Sequence, residues 1–99
     1  MTRVEETELR RWRALPANQL LMRVATFAKR DGTFEPVKST GTERWHANVE
    51  GREYELVTDG PKFFDTRAKR GGGGAVDLVM HLHHLDFKSA TALLRRLGV

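Results

Sequence analysis

The residues with the clearest chemistry in this chain form one short run, from Lys62 to Arg70. The run combines two aromatic side chains with four cations and one acid, and four glycines follow it directly. Cationic side chains neutralise nucleic-acid phosphates, and exposed aromatic rings stack on bases. The sequence therefore predicts a nucleic-acid-binding surface, most simply for a single strand. Its predicted members are Lys62, Phe63, Phe64, Arg67, Lys69 and Arg70, extended on a neighbouring hairpin by Arg44, Trp45 and Arg52.

The glycine run, Gly71 to Gly74, has two possible roles. It opens a predicted helix, so its N–H groups and the helix dipole favour a phosphate. No Gly-Lys-Ser/Thr ending follows, which argues against a nucleotide P-loop. The alternative is a hinge in which glycine permits positive φ and close packing of helix on strand. We favour the hinge and leave open a backbone contact to a nucleic-acid phosphate.

Histidines near the end of the same predicted helix raise the question of a metal site or a general base. Asp77, His81 and His84 share one helical stripe. A histidine-only site needs three convergent ligands. His46 lies on a predicted strand, and the sequence does not say to which face of the sheet it points. We therefore expect a solvated or capping role for the stripe, with no metal and no cofactor. No nucleophile with a local partner and no carboxylate pair stands out, so we expect a protein that is not an enzyme.

Length and composition set the outer limits. The 99 residues are 39% hydrophobic, which is enough for one sheet covered by helices in a single domain. The sequence contains no cysteine, which excludes disulfides and thiolate zinc sites. The formal net charge is only +4, so the local group of cations is more informative than the total. The chain has neither a signal peptide nor an apolar run of membrane length, which predicts a cytoplasmic protein without membrane contact.

Hydrophobic periodicity and turn residues predict a single domain over residues 1–99, with a helical N-terminal part over 1–32. The predicted helices span 5–14, 17–29, 75–82 and 87–97, and 33–43 is predicted as a loop. The predicted strands span 45–49, 54–58 and 62–65, joined by tight turns at Glu50-Gly51 and Asp59-Gly60-Pro61. The expected fold is thus α+β, a small three-stranded antiparallel meander flanked by N-terminal and C-terminal helices.

Leu9 and Trp12 share one face of the first predicted helix, and two interpretations are open. If they are buried, they cover the second helix, which is the usual situation of tryptophan. If they are exposed, they form an apolar patch with the terminal helix that docks another protein. The alternative function is therefore a protein–protein interaction module that recruits a polymerase, helicase or relaxase without contacting nucleic acid.

Two motifs follow the aromatic strand, Gly-Gly-Gly-Ala-Val-Asp-Leu-Val-Met at 72–80 and Leu-Asp-Phe-Lys-Ser-Ala at 85–90. With the strand hairpin before them, they make residues 44–97 resemble the N-terminal zinc-ribbon domain of bacterial replicative primases. That family has a Gly-Asp-Ala-Ile-x-Phe-Leu-type helix start followed by a Phe-x-Glu-Ala helix. The similarity is greatest to primase-like proteins of plasmids and mobile elements, in which the module precedes a toprim catalytic domain.

The resemblance implies a zinc-less version of that module. The family's ligands are cysteines and a histidine, and alignment on Gly73 places its Cys-x-x-Cys pair near Thr66 and Lys69, neither of which supplies a thiolate. It implies single-stranded DNA as the ligand, in replication, priming or DNA transfer, and a polymerase, helicase or toprim-type domain as a candidate partner. No polymerising activity is implied. The hairpin would be held instead by Trp45, Tyr54, Leu56, Phe63 and Phe64.

Overall fold

Two helices, a five-stranded antiparallel sheet and two further helices follow one another in the computed structural model, which describes residues 4–34 and 41–99. The predicted α+β class is confirmed. The helices are α1 (Glu6–Ala14), α2 (Ala17–Val24), α3 (Ala75–His83) and α4 (Phe87–Leu97). The strands are β1 (Phe27–Arg30), β2 (Thr42–Val49), β3 (Arg52–Asp59), β4 (Lys62–Asp65) and β5 (Arg70–Gly72).

Each strand pairs with the next one along the chain, so the sheet is an up-and-down meander in the order β1-β2-β3-β4-β5. Between β2 and β3, Glu50 and Gly51 both have positive φ, 52° and 82°. Two-residue hairpins favour this backbone because it follows the twist of the strands. Gly60 has a φ of 56° in the turn between β3 and β4. Both predicted tight turns are confirmed.

The sheet has one strand more at each edge than the predicted meander, and β1 replaces the end of a predicted helix. Helix α2 ends at Val24 rather than at Lys29. Phe27–Arg30 pair instead with β2. Phe27 fits helical spacing in the sequence, but its side chain is exposed and contributes to no core stripe. Pairing with β2 decides that these residues form a strand and not a helix, because the intrinsic helix and strand propensities of ordinary residues differ by less than about 1 kcal/mol.

Strand β5 is the other addition, and two of its three residues, Gly71 and Gly72, belong to the glycine run, which the sequence predicts as a loop. Arg70, Gly71 and Gly72 pair with Asp65, Phe64 and Phe63 of β4. Glycine is depleted in strands, so the local pattern predicts a loop and only the pairing makes a strand. The predicted loop over 33–43 is also shortened, because β2 already begins at Thr42. Residues 35–40 of that loop lie outside the described residues.

The helices cover one face of the sheet and leave the other open. Alternate residues of the central strands, among them Ala47, Leu56 and Phe63, are buried in one cluster with helix residues such as Leu20 and Leu82. The residues between them point the opposite way, as the pleat requires, and are exposed or half-exposed. We call this second side the open face. Its central residues are Arg44, Glu55, Val57, Lys62 and Phe64.

Helix α1 is fixed by the last residues of the described chain. The Trp12 side chain is fully buried, and its Nε1 donates to the carbonyl oxygen of Val99 at 2.7 Å. The Arg95 guanidinium donates to both carboxylate oxygens of Glu8, at 2.9 and 2.8 Å, and these bonds lower the pKa of Glu8 to about 2. Burial of Trp12 confirms its core role and removes it from any docking patch. None of the described helices is long and apolar enough to cross a membrane.

Candidate nucleic-acid interface

The pleat of β4 divides the predicted binding run between the two faces of the sheet. Phe63 is only 5% exposed on the helix side, and Trp45 on β2 is 7% exposed there. A stacked base needs a bare ring face, so the stacking role predicted for Trp45 is wrong. Of the two alternatives on β4, Phe63 is excluded for the same reason. Phe64 lies on the open face with 45% of its surface exposed, and it is the ring available to a base.

Phe64 stands in a row of residues that crosses the open face. Its partner on β3 is Val57, whose own partner on β2 is Arg44. On the other side its partner is Gly71 of β5, where an added Cβ would lie 3.2 Å from Phe64 Cδ1. The ring therefore has an aliphatic neighbour on one side and a residue without a side chain on the other. An added side chain at position 71 would crowd the ring.

Glu55 fixes two of the predicted cations on the open face. Arg44 forms an ion pair with Glu55, and Arg67 Nε lies 3.6 Å from the carboxylate oxygen Oε2. The Glu55 side chain is 13% exposed, whereas both arginines are partly open to solvent. A guanidinium group has five N–H donors, so each arginine keeps donors for a further anion. One acid thus positions two cations and leaves a net positive charge.

The rest of the open face is mixed in charge. Lys62 pairs in register with Asp59 of β3. Glu53 lies two residues before Glu55 on the same strand and accepts a hydrogen bond from Asn48 Nδ2 at 2.9 Å. Attraction of phosphates by this face is therefore modest, because acids offset much of its positive charge. The exposed ring is its most distinctive feature.

Two of the predicted cations lie on the helix side of the sheet, and a third lies in a turn. Arg52 lies on the helix side, where Nη2 donates to the carbonyl oxygen of Leu82 at 3.3 Å. Arg70 pairs in register with the buried Asp65, which places it on the helix side of β5. Lys69 lies in the turn between β4 and β5 with a φ of 57°. The continuous basic surface expected from the run is corrected to Arg44, Lys62 and Arg67 around Phe64.

Sequence reasoning missed a buried pair formed by Asp65 and His81. Asp65 Oδ2 lies 2.6 Å from His81 Nε2, and Oδ1 accepts the N–H groups of Arg67 and Ala68, both at 3.0 Å. Burial opposes ionisation of Asp65, but the Ala68 N–H and the His81 ring outweigh it and lower its pKa. The pair ties the β4–β5 turn to α3. An aspartate at a strand end is a turn signal in the sequence, whereas its histidine partner is set only by the fold.

The predicted stripe of Asp77, His81 and His84 lies along α3 and its C-terminal cap, and each member has a partner. Asp77 Oδ2 accepts the N–H of Gly73 at 3.3 Å. His84 has a left-handed backbone and its Nε2 lies 3.2 Å from the Tyr54 hydroxyl. Within residues 4–34 and 41–99, no three histidine, aspartate or glutamate side chains converge in a way that would hold a metal ion.

Positions 71 and 72 require glycine, because neighbouring atoms approach the backbone too closely for a Cβ atom. A Cβ at Gly71 would lie 2.6 Å from the carbonyl oxygen of Phe63, and one at Gly72 would lie 2.7 Å from Asp77 Cβ. At Gly73 an added Cβ would meet nothing within 4 Å. The four glycines of the run all have negative or extended φ. Close helix–strand packing, one part of the hinge hypothesis, is confirmed, and the need for positive φ is wrong.

We expect Gly71→Ala and Gly72→Ala each to lower the free energy of unfolding by about 1–3 kcal/mol, because backbone or ring atoms must move. Gly73→Ala is the matched control. It should be neutral or stabilising by up to about 1 kcal/mol, since alanine restricts the unfolded chain. Urea denaturation of the three variants measures the differences. Equal destabilisation at all three positions would contradict the close-approach explanation.

Comparison with known proteins shows a short similarity. No family model matches the chain, and no solved structure matches it. A protein of Zymomonas mobilis subsp. mobilis named "65 kDa protein" is 44% identical over 41 residues. The match covers 41% of this chain and 7% of that protein, so the chain spans a small fraction of its relative's length. The similarity concerns one segment and shows no family.

Proposed function

We propose that this chain is a non-catalytic module that binds single-stranded nucleic acid, with DNA favoured, on the open face of its sheet. The observation that carries the proposal is the half-exposed Phe64 ring beside two arginines fixed by Glu55. Such a ring stacks a base of any identity for about 1–3 kcal/mol, and neighbouring cations contact the adjoining phosphates. A duplex hides the faces of its bases, so an exposed ring favours a single strand.

The resemblance to the primase zinc ribbon supports the same proposal. Thr66 and Lys69, which align with the cysteine pair of that family, lie in the β4–β5 turn. Asp65 accepts two N–H groups of this turn, and His81 links it to α3. We propose that the Asp65–His81 pair fixes the end of the hairpin in place of a metal. The proposed setting is replication, priming or DNA transfer of a mobile element, with a polymerase, helicase or toprim-type domain as partner.

Phe64→Ala should weaken binding of a labelled single-stranded oligonucleotide about 5- to 150-fold, which corresponds to about 1–3 kcal/mol for one stacked base. Fluorescence anisotropy at fixed salt measures the change. Phe87→Ala is the matched control, because Phe87 is 48% exposed, close to the 45% of Phe64, but lies on α4. It should leave the affinity unchanged.

The same titration at rising salt reports the phosphate contacts. A plot of the logarithm of the binding constant against the logarithm of the salt concentration falls with a slope of about 0.7 for each phosphate contact made with a single strand. The mixed charge of the open face predicts a shallow slope, and Arg67→Ala should reduce it by about one contact. If Phe64→Ala binds DNA like the unmodified protein, or if no salt dependence exists, the proposal is wrong. Binding of a protein partner without any affinity for oligonucleotides would instead support the recruitment alternative.

A further inference from the structure

A second exposed phenylalanine lies at the far edge of the open face, on β1. Phe27 is 58% exposed, compared with 45% for Phe64, and it pairs in register with Asn48 of β2. Its neighbour Ala28 packs against the core, so the pleat of β1 turns Phe27 towards the open face. Phe27 lies outside residues 44–97, and the binding role proposed above makes no use of it.

The rings of Phe64 and Phe27 lie far apart on this face. Phe64 is level with Arg44 of β2, whereas Phe27 is level with Asn48, four residues further along the same strand. Four residues of a strand span about 13 Å, and the three strand spacings from β4 to β1 span about 14 Å. The two rings are therefore about 20 Å apart along a diagonal of the sheet. Successive stacked bases are only about 3.4 Å apart, so a ligand that contacts both rings must be several nucleotides long.

The surface between the two rings carries three cations. Arg44 and Arg67 lie on the Phe64 side, where both form ion pairs with Glu55 and offset its charge. Lys29 is exposed on β1, two residues from Phe27 and level with His46. A phosphate backbone that leaves Phe64 along the diagonal thus has a cation beside it until it reaches Phe27.

Two other acids of the open face lie to either side of this diagonal. Asp31 donates its N–H to the carbonyl oxygen of Arg44 at 2.7 Å, so it lies at the β1 edge, level with Phe64. Glu53 lies level with Phe27, but two strands away on β3. Phosphates are repelled by carboxylates, so both acids disfavour the other diagonal. The arrangement of charges therefore favours a strand that runs from Phe64 to Phe27.

We propose that a single strand of nucleic acid crosses the open face along this diagonal, with one base stacked on Phe64 and another on Phe27. The phosphates between these bases contact Arg67, Arg44 and Lys29. The inference rests on the proposed function, to which it adds a second stacking residue, a direction across the sheet and a ligand length. A strand reaches from one ring to the other with about four to six nucleotides, the larger number if its bases stay stacked. A trinucleotide contacts only one ring at a time.

A length series of labelled oligothymidylates, from three to about ten nucleotides, tests the inference by fluorescence anisotropy. The affinity should rise until the strand reaches both rings, at about four to six nucleotides, and should then level off. Phe27→Ala should weaken binding of the longest strand about 5- to 150-fold, the effect of one stacked base. The same substitution should leave binding of the trinucleotide nearly unchanged, because Phe64 is still present.

Two further substitutions at position 27 separate stacking from apolar contact. Phe27→Leu keeps an apolar side chain without a flat ring, so it should lose as much affinity for the longest strand as Phe27→Ala. Phe27→Trp should retain the affinity, because tryptophan also stacks. Phe87→Ala, on α4, is the matched control and should have no effect at any length. Circular dichroism should show an unchanged fold for all of these variants, since both side chains are exposed.

The salt dependence reports the cation near Phe27. Lys29→Ala should reduce the slope for the longest strand by about 0.7, the value of one phosphate contact, and should leave the slope for the trinucleotide nearly unchanged. Lys88→Ala removes an exposed lysine from α4 and is the matched control. An equal reduction in both variants would show that Lys29 acts through the overall charge and would contradict its place beside the strand.

The Phe64 variant distinguishes failure of this inference from failure of the proposed function. If Phe64→Ala weakens binding at every length and Phe27→Ala weakens it at none, the inference is wrong and the proposed function stands. A plateau of affinity already at three nucleotides, or full affinity of Phe27→Leu for the longest strand, would also exclude a second stacked base. If neither ring affects binding at any length, both proposals are wrong. Because the rings are about 20 Å apart, the losses from the two alanine substitutions should multiply in the double variant.

Discussion

Replacing Trp12 with alanine is expected to lower the free energy of unfolding by about 3–5 kcal/mol, the largest effect anticipated for any single substitution in this chain. The side chain is fully buried in the main core cluster, and its indole N–H donates to the carbonyl oxygen of Val99 at 2.7 Å. The alanine variant loses that packing, leaves a cavity and removes the hydrogen bond. Domains of this size are stable by only about 5–15 kcal/mol, so the expected loss is a large fraction of the total.

Trp12→Phe separates packing from hydrogen bonding. Phenylalanine keeps most of the buried ring but has no N–H, so a loss of about 1–2 kcal/mol is expected. Chemical denaturation followed by circular dichroism measures both variants. If Trp12→Ala unfolds within 1 kcal/mol of the unmodified protein, α1 does not belong to the cooperative core and the role given to Trp12 is wrong.

Asp65→Ala is expected to destabilise the fold by about 3 kcal/mol. Removing one partner of a buried ion pair costs about 3–5 kcal/mol. The lower end of that range is expected here, because the His81 side chain keeps some contact with solvent. The N–H groups of Arg67 and Ala68 lose their acceptor, and the tie between the β4–β5 turn and α3 is broken. Denaturation at neutral pH measures the loss, and hydrogen exchange should place it in β5 and the turn before it.

Asp65→Asn is the matched control for the charge. An amide oxygen can still accept from the turn N–H groups, so this variant should lose less than the alanine variant. The folded pKa of Asp65 lies below its ordinary value of 3.8. Its ionised form therefore stabilises the fold at all pH values above about 4, and this contribution fades as the pH falls through the lowered pKa. Asp65→Asn should remove that part of the acid dependence. An unchanged acid profile would contradict the pair.

Much of the fold follows from local patterns in the sequence. Alternation around Trp45 and Tyr54 predicts the central strands, and Glu50-Gly51 predicts the turn between them, because both signals act within a few residues. The edge strands have no such signal. Phe27 fits a helix as well as a strand, and Gly71 disfavours a strand. The segments that contain these residues form strands only because a neighbouring strand pairs with them through backbone hydrogen bonds.

The candidate site shows the same limit in its side chains. The sequence indicates that Phe63 and Phe64 point to opposite faces, but it does not say which face the helices cover. The run of cations looks continuous along the chain, yet the pleat sends Arg70 to the helix side and leaves Lys62 on the open face. The partner of Asp65 is a histidine 16 residues away. Spacing within one element cannot reveal such a contact.

The division of the sheet into a covered and an open side has a consequence for how this protein can change over generations. Substitutions at Trp45 or Leu56 disturb the core, and selection for stability removes most of them. Substitutions at Phe64 or Lys62 alter only a surface, with effects on stability that are usually small. Under the binding role proposed for the open face, affinity and preference for a ligand can therefore drift there while the scaffold stays constant. Relatives with the same architecture and different binding properties are the expected product of such a sheet.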